Sequence, residues 1–193
     1  MERPKRMRTA YSGNTRPTTM PSTGTSTKYV LHCTRRATVS CCLMRIVVLV
    51  GLPGSGKSTY LEAMGVRGLS SDGIRKLLAD DETDQTIHVR VFETLRYLLG
   101  QRLAIGRAVS YIDATNLTPE ERRPYLEIGR AWGCDVEAVF FDVPLAICAD
   151  RNARRSRVVP DEALAKMAAK LTPPATEEGF ARVTVVAGGT VQS

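Results

Sequence analysis

An apolar run, Ile46-Val-Val-Leu-Val50, leads straight into Gly51-Leu-Pro-Gly-Ser-Gly56-Lys57-Ser58. No other stretch restricts the fold so tightly. A strand with no polar face must be covered on both sides, as in the middle of a parallel α/β sheet. The eight residues after it fill the pattern G-x-x-x-x-G-K-[ST] completely. Gly51, Gly54 and Gly56 let the backbone curl so that its N–H groups, including that of Ser55, point at phosphate oxygens. The helix entered through Ser58 and Thr59 adds its positive end. In such a loop Lys57 reaches the β and γ phosphates of a nucleotide, and the Ser58 hydroxyl ligates Mg²⁺. The ligand implied is ATP or another nucleoside triphosphate with Mg²⁺.

The rest of the chain alternates strand and helix. A helix is expected to begin at Thr59–Met64, a short strand near Val66–Leu69, and a helix around Gly73–Leu78. A long helix is expected over Thr86–Leu103, with Val89, Phe92, Leu95 and Leu99 at helical spacing. Ala108–Asp113 reads as a strand, Pro119–Trp132 as a helix capped by Thr118, and Val136–Phe141 as a strand. Pro144–Arg155 and Asp161–Leu171 read as helices, and Arg182–Val186 as a last strand. The fold class expected is α/β, a P-loop NTPase with a central, mostly parallel sheet of about five strands flanked by helices.

Charge is distributed unevenly. The 193 residues carry a net charge of +7, and residues 1–43 hold eight of the 27 Lys and Arg but one of the 20 acids. The remainder is therefore formally neutral, and the basic pI says nothing about the partner of the folded part. Residues 1–43 are rich in Thr, Ser, Arg and Pro without periodicity, the composition of a disordered basic extension. A nucleic-acid-binding arm, a transit peptide and sequence upstream of a natural start at Met44 are the readings open for it. The five cysteines show no metal-ligand spacing, which disfavours a structural zinc site and suits reduced thiols in the cytoplasm. No apolar run is long enough to span a membrane. One kinase-sized domain, residues 44–193, is expected.

Three further clusters carry chemistry. Asp72, in Ser70-Ser-Asp-Gly-Ile-Arg75, falls just past the second strand, where ligands meet the sheet. A carboxylate there can take the proton of an incoming hydroxyl, a role worth about 10²–10⁴-fold in rate; the position also suits a plain N-cap. Arg75, one helical turn on, can hold the acceptor or be a solvated charge. Asp113, at the end of the third strand in Asp113-Ala-Thr-Asn116, can hold Mg²⁺ through water, orient Lys57 or Ser58, or belong to a plain polar turn. Arg151, Arg154, Arg155 and Arg157 lie within seven residues. Arg151 and Arg155 are expected to share a helical face and, as an Arg-bearing helical lid, to spread charge over the transferring phosphoryl oxygens, worth about 10³–10⁵ in rate.

With these motifs in view, residues 44–187 resemble the kinase module of bacterial polynucleotide kinases, which act on 5′-hydroxyl ends. The resemblance extends from the loop to Ser71-Asp72 with Arg75, Asp80–Thr86, Arg102-Leu103 with Gly106, Asp113–Asn116, Cys148 with Arg151-Asn152 and Arg155, and Glu178-Gly-Phe180. It implies that Asp72 is the general base, that Arg75 contacts the acceptor end, and that Arg151 and Arg155 act on the donor phosphates. It further implies a 5′-OH end of RNA or DNA as substrate. Family members carry phosphatase and ligase modules downstream, so here those steps would fall to separate proteins. Rival readings are a small-molecule or aminoacyl-tRNA kinase, and a nucleotide-dependent binding switch that transfers no phosphate.

Overall fold

The computed structural model describes residues 44–155 and 157–187, and the backbone of 190–192; all belong to one compact unit. The expectations made for residues 1–43 lie outside the described residues. The elements are β1 (Arg45–Val50), α1 (Lys57–Ala63), β2 (Leu69–Ser70), α2 (Ser71–Ala79), α3 (His88–Ala104) and β3 (Val109–Asp113). They continue with α4 (Pro119–Trp132), β4 (Asp135–Asp142), α5 (Leu145–Ala153), α6 (Asp161–Lys170), β5 (Arg182–Ala187) and β6 (Thr190–Gln192). The sheet order is β2-β3-β1-β4-β5-β6, with β1 to β5 parallel and β6 antiparallel to β5. The chain therefore is the expected α/β fold, with a short sixth strand that its three residues did not announce.

The apolar run of β1 is explained by coverage of both faces. Ile46, Val48 and Val50 pack with Ile74, Val91, Leu95, Leu99 and Leu103 from α2 and α3, and with Tyr125 and Leu126 of α4. Val47 and Leu49 face the other way, onto Leu61 of α1, Cys148 of α5 and Leu164 of α6. All five residues of the run are at most 3% exposed, and each such side chain contributes on the order of 1.5–3 kcal/mol by burial.

Some boundaries move. The inward stripe of α3 is Val91, Leu95, Leu99 and Leu103, while Val89 is 67% exposed and Phe92 only half-buried. Leu95 and Leu99 are thus buried as expected, and Val91 and Leu103, rather than Val89 and Phe92, complete the stripe. β2 begins only at Leu69, because Gly65 and Val66 still donate to carbonyls of α1, those of Glu62 and Leu61. Thr118 caps α4 as expected, accepting from the Glu121 N–H at 3.4 Å.

α5 ends at Ala153, so Arg151 lies on it and Arg155 lies beyond it. The expected shared helical face does not exist. Buried Asn152 stops the helix: its side chain accepts from Val159 N (3.1 Å) and donates to Val159 O (2.7 Å), folding the chain back toward α6.

Candidate active site

The topology decides where the chemistry gathers. From β1 the chain goes out to β2, returns through β3 beside β1, then crosses to β4 on the other side. The C-terminal end of β1 is such a switch point, where a crevice opens in parallel sheets. The loop Gly51–Gly56 occupies that position and α1 begins directly at Lys57. The Gly51 N–H donates to Thr115 O at 3.0 Å, tying the loop to the end of β3. Asn116 reinforces the joint, donating from Nδ2 to Leu49 O at 2.7 Å. Gly54 sits at φ +81°, and a Cβ there would come within 2.4 Å of Cys148 O on α5. Only glycine allows this approach.

Lys57 is buried, and its Nζ donates to Gly51 O and Leu52 O, both at 2.8 Å, and to Ser55 Oγ at 3.4 Å. Burial lowers its pKa from 10.5 to about 8; Asp113 opposes the fall and the positive charge of Arg155 adds to it. Ser58 is exposed and donates to Asp113 Oδ2 at 3.4 Å. Burial in turn raises the Asp113 carboxyl, against the pull of Lys57 and the Ser58 hydrogen bond. Thr59 follows on α1, exposed.

The second carboxylate arrives through the sheet register. Ser70 on β2 pairs with Asp113 on β3, so the residues after Ser70 emerge at the same edge. Ser70, not Asp72, caps α2, its hydroxyl accepting from Gly73 N at 3.2 Å. Asp72 is free of capping duty and instead pairs with two arginines. Arg75 Nη1 is 2.9 Å and Arg157 Nη1 2.7 Å from Asp72 Oδ1. Arg75 is 4% exposed, so it is neither a solvated charge nor openly presented to an acceptor.

Arg151 is exposed, and its Nη1 lies 3.9 Å from where a Cβ of Gly56 would stand. Arg155 is also exposed, and its charge is felt by both Lys57 and Asp113. Lys57, Ser58, Asp113, Asp72, Arg75, Arg151 and Arg155 are therefore gathered at one edge of the sheet. A buried lysine and two nearby arginines form a polyanion cradle at the loop, in which the Ser55 N–H donates to Leu52 O at 3.1 Å. Ser58 and Asp113 present the hard oxygen donors that Mg²⁺ takes. The residues present fit a nucleoside triphosphate and its metal.

Two features escaped the sequence reading. Arg157 was one of four cations, with no partner foreseen. Arg122 is fully buried in α4, bidentate to Glu178 (2.9 and 2.6 Å) and donating to the carbonyls of Asn116, Leu117 and Thr172. The signal was its spacing: Arg122, Tyr125, Leu126 and Gly129 form the inward stripe of α4. A cavity of about 300 Å³, lined by Gly129, Arg130, Asp135, Val136 and Phe180 among others, opens at the opposite end of the strands. It holds none of these site residues.

Residues 46–174, about two thirds of the chain, match the AAA domain model AAA_33. The chain belongs to this AAA domain family. Its fold is that of a P-loop kinase-like domain. Among solved structures, the chain is similar to one in the Pnkp1/Rnl/Hen1 RNA repair complex (TM-score 0.58, 22% identity, 72% of this chain and 47% of that one). It thus spans about half the length of that relative. A putative kinase from Chloroflexus aurantiacus J-10-fl gives a TM-score of 0.57 at 13% identity, over 75% of this chain and 88% of that one. A sugar kinase from Janibacter sp. HTCC2649 gives 0.55 at 20% identity, over 75% and 85%. At these identities the likeness is one of fold. No helix among the described residues of this AAA domain is long and apolar enough to cross a membrane.

Proposed function

We propose that this AAA domain is a polynucleotide 5′-hydroxyl kinase, moving the γ-phosphoryl group of ATP or another NTP onto the 5′-OH end of RNA or DNA. The observation that carries the reading is Asp72: a half-exposed carboxylate held by Arg75 and Arg157 at the same sheet edge as the phosphate loop. The likeness to a chain of an RNA repair complex supports the choice of acceptor.

The loop amides and Lys57 hold the donor phosphates, with Arg151 and Arg155 over the transferring group. Ser58, with Asp113 behind it, would hold Mg²⁺, which supplies charge neutralisation at the phosphate oxygens. Asp72 accepts the proton of the attacking hydroxyl as its oxygen closes on phosphorus in line with the leaving diphosphate. In this reading residues 44–193 are the kinase domain, working in the cytoplasm.

The test is transfer of labelled γ-phosphate to a 5′-hydroxyl RNA oligonucleotide, with 5′-phosphorylated and DNA copies beside it. Label on hydroxyl ends is expected. Asp72→Ala should keep nucleotide binding and lose transfer by about 10²-fold or more. ATP binding without label on any oligonucleotide sinks the reading. The second reading, a small-molecule kinase, is favoured by the sugar-kinase likeness; a panel of sugars and other small alcohols tests it.

A further inference from the structure

Both guanidinium groups on Asp72 converge on a single oxygen. Arg75 Nη1 meets Oδ1 at 2.9 Å from inside α2, one turn along the helix. Arg157 Nη1 meets the same Oδ1 at 2.7 Å from the chain that follows α5. Among the described residues, no hydrogen bond or ion pair falls on Oδ2. Asp72 is 47% exposed, against 4% for Arg75 and 21% for Arg157.

An aspartate carboxylate turns easily about its last torsion, which has broad, two-fold minima. One arginine on its own helix restrains the group from one side only. A second, from a different element, fixes the carboxylate plane and the choice of oxygen. A productive site needs this supporting contact, since a reacting group must be held to a fraction of an ångström.

We propose that Arg157 is a positioning residue for phosphoryl transfer: with Arg75 it anchors Oδ1 of Asp72, leaving Oδ2 to accept the hydroxyl proton. This rests on the kinase reading above. In the step, the acceptor O–H bond breaks and its proton goes to Oδ2 while the acceptor oxygen bonds to the γ phosphorus. The bond from that phosphorus to the bridging oxygen breaks, and its electron pair leaves with the nucleoside diphosphate. Arg157 touches neither reactant. Its position two residues beyond Arg155 also ties the cationic segment of the donor side to the base of the acceptor side.

The experiment is a double-mutant cycle read by single-turnover transfer to a 5′-hydroxyl RNA oligonucleotide, using wild type, Arg157→Ala, Asp72→Ala and the double variant. Arg157→Ala is expected to lower the transfer rate about tenfold to a hundredfold, the cost of a reacting group left out of position. Oligonucleotide KM and nucleotide affinity should stay within about twofold, and Arg157→Lys should restore part of the rate. Once Asp72 is alanine, Arg157→Ala should cost nothing further. Equal losses in both backgrounds, or a loss confined to KM, would overturn the proposal. Wild-type protein that labels no oligonucleotide would instead overturn the polynucleotide reading. The contact is then judged alone by ¹⁵N NMR of the arginine side chains. Hindered rotation of the Arg157 guanidinium, released by Asp72→Ala, is expected, and free rotation in the wild type overturns the positioning role for any acceptor.

Discussion

Raising the pH from 7 to 9 is the gentlest perturbation of the phosphate cradle, because one buried group there changes charge. Lys57 is held among the carbonyls of Gly51 and Leu52, and burial brings its pKa down to about 8. A triphosphate laid against Nζ favours the charged form strongly, since opposite charges within a few ångströms raise an amine's pKa. The free protein therefore loses this proton as the pH rises through 8, and the complex keeps it. Nucleotide binding should take up about 0.1 proton at pH 7 and about 0.9 at pH 9. Well above pH 8, affinity should fall by about tenfold per pH unit. Isothermal titration calorimetry at pH 9, in two buffers of different ionisation enthalpy, reads the uptake directly. Lys57→Arg, which keeps its charge, supplies the baseline and corrects for titration of the nucleotide itself. Equal observed enthalpies in the two buffers, or uptake that survives Lys57→Arg, would refute the reasoning.

Gly54→Ala places a Cβ 2.4 Å from Cys148 O in a backbone at φ +81°. It should weaken nucleotide binding at least about tenfold, from left-handed strain of about 1–2 kcal/mol plus displacement of α5; unchanged affinity by calorimetry would contradict the contact. Glu178→Ala strands the fully buried Arg122 guanidinium without its carboxylate. Urea unfolding should register a loss of about 3–5 kcal/mol, and a change below about 1 kcal/mol would mean that water reaches the arginine.

What the sequence determined follows from local rules. The phosphate loop was legible because its glycines, lysine and serine act through backbone conformation and immediate neighbours. The strand before it and the helix after it were equally local. β1 was readable because burial on both faces leaves an unbroken apolar run, and α4 because Thr118 and Pro119 mark its start. That Asp72 and Asp113 belong to one edge followed from their places at strand ends, once the sheet was taken to be parallel.

What only the tertiary structure decided were the pairings of charge. Arg75 was as consistent with a solvated surface as with a buried ion pair. Spacing put Arg155 on the face of Arg151, but Asn152 ends α5 by bonding Val159, a contact that depends on where α6 lies. Arg157 meets Asp72 and Arg122 meets Glu178 across distances no helical or strand period spans. A hydrophobic pattern repeats with the backbone and can be read along the chain. An ion pair between distant elements depends on sheet order and helix packing, so its partner becomes visible only once the chain is folded.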